Sequence, residues 1–189
     1  RKPAPFPEYE FLFGENMAGS ARLIQEIRKV LEGYVDPEWP KGRPRCREPR
    51  DKKNDWRYDM SKKEVFKAQK LEVKGRKVLY EHYAPPCRTF SSADPYRTRT
   101  RDRPLGRGDE DEAFEADTRI CTYTCALARA KHEVGDFCSI EHIWPTAMID
   151  MHCFVELIGL PGVFILTFDN CRYGEEYRHR QCLITNCPW

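Results

Sequence analysis

The sequence predicts an α/β fold with a mostly parallel sheet, because strand-like and helix-like segments alternate along the chain. Short apolar runs such as "LYEHYA" and "FILTF" are bounded by turn-forming or charged residues, as strands are. The longer segments between them place apolar residues three and four positions apart, which is the period of a helix. This alternation favours parallel strand pairing with helices on both faces of the sheet.

The first half of the chain begins with an extended, proline-rich lead-in over residues 1–10. The stretch "YEFLFGENM" then predicts a strand and "GSARLIQEIRKVLEGY" a helix. Proline, glycine and charged residues indicate a long exposed loop over 36–54. The segment "SKKEVFKAQKLEVKGRK" resumes helical periodicity with Ser61 as a candidate cap, and "KVLYEHYA" is a strand that leads to Cys87.

The second half opens with a polar loop over residues 97–117. A helix follows in "ADTRICTYTCALARAKHEVG", where Gly135 ends the apolar periodicity. The stretches "DFCSIEHI", "GVFILTFDN" and "QCLITN" predict strands, and "MHCFVELIGL" predicts a short helix. Since the carboxyl ends of parallel strands share one edge of a sheet, the loops that follow the strands are expected to converge on one crevice.

Length and charge indicate one polar globular domain, predicted to span residues 11–189. A chain of 189 residues can bury about 70% of its unfolded surface without a metal or disulfide. The 32 basic and 30 acidic residues nearly cancel, but they are clustered. Residues 41–57 and 97–107 are basic and 109–117 are acidic. Each basic run is either a solvated loop or a contact for nucleic-acid phosphates.

The nine cysteines form an odd set without a Cys-x-x-Cys pair, so the pattern does not favour a zinc site. Unpaired thiols are typical of a reducing, intracellular compartment, and the sequence does not distinguish nucleus from organelle. Apolar stretches of the length that spans a bilayer do not occur in these 189 residues.

One cysteine stands in a distinctive context, "APPCRTFS", in which Cys87 follows two prolines and precedes a Phe-Ser pair. This segment resembles the nucleophile loop of the DNA cytosine-C5 methyltransferases, particularly the divergent type associated with mobile elements. In that family a thiolate attacks C6 of cytosine so that C5 accepts a methyl group. The resemblance therefore implies that Cys87 is the nucleophile. Arg88 stands where many members have Gln.

The resemblance extends from Phe11 to Asn186 and implies a three-layer Rossmann-like fold that uses S-adenosylmethionine. In "SIEHI" it implies that Glu141 holds the cytosine at N3, whereas His142 replaces an Asn that braces the cysteine loop. In "NCRYGEEYRHRQCLITN" it implies a supporting arginine, which is either Arg178 or Arg180.

The family's cofactor loop resembles "MAGSARL", which implies cofactor binding by Ala18, Gly19 and Ser20 at a helix N-terminus. Ala21 stands where a glycine is expected. The resemblance also implies a ribose-binding acid and an acid beside the adenine. The matching positions are Asp36 and Asp59.

Three functions follow as hypotheses. The first is an active methyltransferase domain acting on DNA, without the separate target-recognition domain that the family uses. The second is a domain that has lost catalysis and serves as a scaffold or accessory subunit of a larger assembly; Ala21 and His142 favour it. The third is a non-catalytic nucleic-acid binder that uses the two basic segments.

Overall fold

A computed structural model of the protein describes residues 9–17, 22–32, 44–53, 55–91, 98–173, 176 and 180–188. These residues form an α/β structure built on a five-stranded sheet, so the predicted α/β class is confirmed. The strands are β1 (Phe11–Asn16), β2 (Val78–Tyr83), β3 (Phe137–Ile143), β4 (Phe164–Asp169) and β5 (Arg180–Thr185).

The strand order in the sheet is β1-β2-β3-β5-β4. The pairs β1/β2 and β2/β3 are parallel, whereas β5 runs antiparallel to both β3 and β4. The sheet is therefore mixed, where the sequence predicted a mostly parallel one. The physical reason is that only residues 170–179 connect β4 to β5. A connection between parallel neighbouring strands needs a crossover of about a dozen residues or more.

Four helices are described: α1 (Arg22–Glu32), α2 (Lys63–Lys74), α3 (Glu112–Val134) and α4 (His152–Ile158). Helix α3 begins inside the predicted polar loop over 97–117, so that prediction is wrong for its acidic end. The carboxylate of Asp111 caps the helix by accepting a hydrogen bond from the amide of Phe114 at 2.8 Å. Gly135 ends the helix with φ 79°, as predicted.

Residues 45–50 run beside β1 as an irregular, parallel strand. The amide of Arg47 donates to the carbonyl of Phe13 at 2.9 Å, and the side chains of Arg47 and Cys46 are buried. The prediction of an exposed loop over 36–54 is therefore wrong for this part. Its sequence is rich in charge and proline, and the apolar pattern of a strand is missing from it.

The core is divided between the two faces of the sheet. Tyr83 and Ile140 face α3 and α4 in the larger cluster, where Phe154 is fully buried. Tyr80, three residues before Tyr83 on β2, faces the opposite side and stacks on Phe13 against α1. Helices thus cover both faces of the described sheet, α1 at β1 and α3 with α4 on the other side.

A cluster of buried charges closes the amino edge of the sheet. Asp136, which precedes β3, is fully buried and accepts hydrogen bonds from Tyr9 Oη at 2.6 Å and Arg76 Nη2 at 2.8 Å. Lys131 is also fully buried; its Nζ lies 3.4 Å from Asp136 Oδ2 and donates to the carbonyl of Val78. The Asp136 carboxylate therefore compensates two cations at once.

We predict that Asp136→Ala lowers the free energy of unfolding by about 3–5 kcal/mol, because it leaves the buried Lys131 ammonium without its carboxylate. Urea unfolding monitored by circular dichroism measures the change. Asp109→Ala is the matched control, since Asp109 is exposed. A loss below about 1 kcal/mol for Asp136→Ala would contradict this account of the cluster.

Candidate functional site

A cavity of about 410 Å³ lies beyond the carboxyl ends of β1, β2 and β3. Its wall includes Met17 after β1, Cys87 after β2, and Glu141 on β3. The predicted convergence is thus present for these three strand ends, and the structure brings Cys87 and Glu141 together. The loop after β4 was expected there as well, but its described residues do not line the cavity. Ligands of α/β sheets bind at this edge, and the volume is that of a small-molecule pocket.

The Cys87 turn, residues 84–91, fixes the thiol at the cavity. Pro85 and Pro86 restrict the backbone before Cys87, and the amides of Phe90 and Ser91 donate to the Cys87 carbonyl at 3.1 and 3.0 Å. Cys87 as a residue is exposed. The sulfur is nevertheless partly enclosed by the cavity wall.

The pKa of the Cys87 thiol is raised above its usual value. The causes are partial burial of the sulfur, then the nearby carboxylate of Glu141, and then that of Asp117. Burial also raises the pKa of Glu141. Within the described residues, hydrogen-bond donors do not reach the Glu141 carboxylate. Burial thus disfavours the charged form of each group relative to the same group in water.

His142 contacts the Cys87 turn from β3. It is buried, its Nε2 lies 3.4 Å from the carbonyl of Pro86, and its Nδ1 lies 3.3 Å from the carbonyl of Ile143. Burial lowers the pKa of His142 to about 4, so the ring is neutral near pH 7. A neutral imidazole has one N–H and donates to one of these two carbonyls. His142 thus lies where it can brace the turn.

The predicted arginine pair is only partly described, because Arg178 lies outside the described residues. Arg180 begins β5 and pairs with Asp169, with Nε 2.9 Å from Oδ1. The cavity is lined by the next residue, Gln181. Gln181 lies opposite Ile143 in the β3/β5 register, on the same side of the sheet as Glu141. The alternation along β5 was the signal that could have found it.

The predicted cofactor residues Ala18, Gly19, Ser20 and Asp36 lie outside the described residues. Asp59 is described, and its Oδ1 accepts hydrogen bonds from the amide and hydroxyl of Ser61 at 3.0 and 2.7 Å.

The turn around Asp59 nevertheless contributes to the site, because its neighbours Tyr58 and Met60 line the cavity. The role of Asp59 beside an adenine stays a prediction. Ser61 was the candidate cap of α2, but that helix begins after Lys62.

Sequence reasoning missed Asp117, which also lines the cavity. It is buried on α3, and its Oδ2 lies 3.4 Å from Arg88 Nη2 and 3.3 Å from Thr89 Oγ1. Asp117 precedes Ile120 by three positions, so it shares the buried face of α3. That spacing was the available signal. It was overlooked because Asp117 lies where the predicted loop over 97–117 overlaps the start of the predicted helix.

Comparisons with known proteins add no family assignment: no protein-family model matches this chain, and no curated protein matches its sequence. Groups of three or more His, Cys, Asp or Glu side chains able to hold a metal ion are absent from the described part of the chain. Among the described helices, none is long and apolar enough to cross a membrane. The cavity is therefore the feature from which a function can be argued.

We predict that Glu141→Gln makes Cys87 react severalfold faster with iodoacetamide at pH 8. The ionised Glu141 carboxylate raises the pKa of the thiol; its removal lowers that pKa, and more thiolate is present at the same pH. Peptide mass spectrometry measures the rate, with the exposed Cys171 as internal reference.

The matched control for this measurement is Glu133→Gln, which changes an exposed carboxylate on α3 and should leave the Cys87 rate unchanged. An unchanged or slower rate in Glu141→Gln would show that the two groups are not electrostatically linked.

Proposed function

We propose that this chain is an S-adenosylmethionine-dependent DNA cytosine-C5 methyltransferase-like domain that acts through Cys87. The observation that carries the proposal is the placement of Cys87 and Glu141 in one cavity, at the carboxyl ends of the adjacent parallel strands β2 and β3. The resemblance of "APPCRTFS" and "SIEHI" to the family's motifs supports the same pair of residues. The methyltransferase fold is part of this proposal.

In the proposed reaction the Cys87 thiolate adds to C6 of a cytosine and the C5=C6 double bond opens, which makes C5 nucleophilic. Loss of the C5 proton later restores the double bond and expels the thiolate. The cytosine ring must accept negative charge during this addition. Glu141 stabilises that charge by holding a proton at N3, a role that requires a carboxyl group able to stay protonated near neutral pH. The raised pKa of Glu141, caused by its burial, suits this role.

The residues at the β1 side of the cavity fit an adenosyl group. Met17 and Met60 supply apolar surface, and Tyr58 supplies an aromatic ring. With them, the resemblance assigns Ala18, Gly19, Ser20, Asp36 and Asp59 to S-adenosylmethionine binding. When bound, this cofactor supplies the methyl group.

A DNA substrate requires that the target cytosine leave the duplex, which costs a few kcal/mol that protein contacts must offset. Lys52 and Lys53 are exposed at the wall of the cavity. Ammonium groups at this position suit the phosphates on either side of a flipped nucleotide. The sequence's first basic segment, residues 41–57, thus contributes two lysines to the proposed site.

We predict that the protein forms a covalent adduct with duplex DNA containing 5-fluorocytosine when S-adenosylmethionine is present. Release of the thiolate requires loss of a proton from C5. Fluorine takes the place of that proton, so the bond between sulfur and C6 persists. A denaturing gel detects the adduct as a shifted band. Cys87→Ser should abolish it, and Cys171→Ser should leave it unchanged. Absence of an adduct with the unaltered protein would contradict the proposed reaction.

A second candidate function is a non-catalytic subunit of a larger assembly. Phe164 and Leu166 on β4 favour it, because 48% and 53% of their surfaces are exposed and exposed apolar surface marks interaction sites. The position of Arg180 also favours the subunit, since its guanidinium is paired with Asp169 and is not part of the cavity wall.

Titration with S-adenosylmethionine separates the two candidates. If the chain is the enzyme, we predict that calorimetry gives a Kd in the micromolar range, which corresponds to a binding free energy of about −8 kcal/mol. We expect Tyr58→Ala to weaken binding about tenfold, since the ring contributes to the cavity wall. Trp56→Ala is the matched control, because Trp56 belongs to the same 3₁₀ turn but is 74% exposed. Absence of binding would favour the subunit.

A further inference from the structure

Arg99 occupies an unusual position beside the Cys87 turn. Its guanidinium lies between two aromatic rings, with Cζ 3.7 Å from the centroid of Phe90 and 3.6 Å from that of Phe114. Arg99 is 7% exposed. Phe90 belongs to the Cys87 turn and Phe114 to the first turn of α3, so one side chain joins the turn to the helix.

Hydrogen bonds from the same guanidinium reinforce this connection. On the side of α3, Nη2 donates to Thr118 Oγ1 at 2.8 Å and to the carbonyl of Phe114 at 3.2 Å. On the side of the Cys87 turn, Nε donates to Thr89 Oγ1 at 3.2 Å. Nη1 donates to the carbonyl of Pro104 at 2.8 Å. A planar fork with fixed donors suits these divergent acceptors, whereas a lysine ammonium would not reach them together.

The contacts continue beyond Phe90 to the next strand. The rings of Phe90 and His142 meet edge to face, with centroids 6.0 Å apart and an interplanar angle of 88°. His142 in turn contacts the Pro86 carbonyl. A buried stack, Phe114, Arg99, Phe90 and His142, therefore runs from α3 to β3 and touches the Cys87 turn on both sides of the cysteine.

A space-filling role alone does not explain an arginine at this place. Burying a guanidinium costs desolvation energy that an apolar side chain of similar size would avoid. We propose that Arg99 is a positioning residue, which holds the Cys87 turn against α3 so that the thiol stays in the cavity wall beside Glu141. We call these contacts of Arg99 with the Cys87 turn and α3 the Arg99 clamp. Its importance for catalysis rests on the proposed function, whereas its effect on the position of Cys87 does not.

The test compares Arg99→Met and Arg99→Lys with the unaltered full chain. The readout is the rate at which iodoacetamide modifies Cys87 between pH 7 and 10, measured by mass spectrometry relative to Cys171. The matched control is Arg76→Met, which also removes an arginine that lies over an aromatic ring and pairs with buried acceptors, at the opposite edge of the sheet. Unfolding midpoints are recorded for every variant.

For Arg99→Met we expect Cys87 to react about three to ten times faster at pH 8, the effect of losing desolvated cation–π contacts from the turn. Release of the sulfur from the wall lowers the thiol pKa, so the pH profile also moves to lower pH. Arg99→Lys should give a smaller change in the same direction. Arg76→Met should lower the unfolding midpoint without changing the ratio of the Cys87 modification rate to that of Cys171.

Equal ratios in Arg99→Met and in the unaltered protein would overturn the clamp, and so would an equal rise in Arg76→Met. If Arg99→Met does not fold, Thr118→Val replaces it, because this variant removes the α3 hydroxyl that accepts from Arg99 Nη2 and leaves the contact between Thr89 and Asp117 in place. An increase of about twofold then supports the clamp, and an unchanged rate overturns it.

The fluorocytosine adduct distinguishes failure of the clamp from failure of the proposed function. If the unaltered protein forms no adduct but Arg99→Met changes the alkylation rate, the clamp stands and the methyltransferase proposal fails. If the unaltered protein forms the adduct and Arg99→Met matches it in both assays, the reaction stands and the clamp fails. If the clamp and the methyltransferase proposal are both correct, Arg99→Met forms the adduct more slowly than the unaltered protein does.

Discussion

The parallel register of β2 between β1 and β3 is the constraint on which the site depends. Glu81 on β2 is buried opposite Gly14 and Cys138. Its carboxylate pairs with the buried Arg47 at 3.0 Å and accepts a hydrogen bond from Tyr83 at 2.6 Å. A slip of one residue would turn Glu81 to the other face and leave Arg47 buried without it. The ion pair therefore fixes the register, and the register fixes where the chain leaves β2 toward the cysteine.

Cys87, Glu141 and His142 form a part of the cavity wall in which burial disfavours charge. Burial raises the pKa of Glu141 and contributes to the raised pKa of Cys87, while it lowers that of His142 to about 4. Burial thus disfavours the charged form of each of these three groups. This part of the wall suits an uncharged heterocycle such as the proposed cytosine, which can share protons with these groups.

The sequence predicted the strands and the convergence of their ends because those features depend on local apolar patterns. Local patterns did not predict the burial of a side chain that is covered by residues far away in the sequence. Arg99 and Arg101 occur in the same alternation of arginine and threonine, yet the side chain of Arg101 is 89% exposed while Arg99 is buried. The difference comes from Phe114, fifteen positions after Arg99, which covers Arg99 from α3. The local sequence of this charged run therefore does not indicate that Arg99 is buried.

The kind of contact that holds Arg99 also matters for the thiol next to it. Each ionised carboxylate near Cys87 raises the thiol pKa, as those of Glu141 and Asp117 do, and the charge of Asp117 is partly offset by Arg88 at 3.4 Å. Two contacts that join Arg99 to the Cys87 turn, those with the ring of Phe90 and the hydroxyl of Thr89, are with groups that carry no formal negative charge. They can fix the turn without suppressing the thiolate further, whereas an added aspartate at the same place would fix it and make the sulfur less reactive.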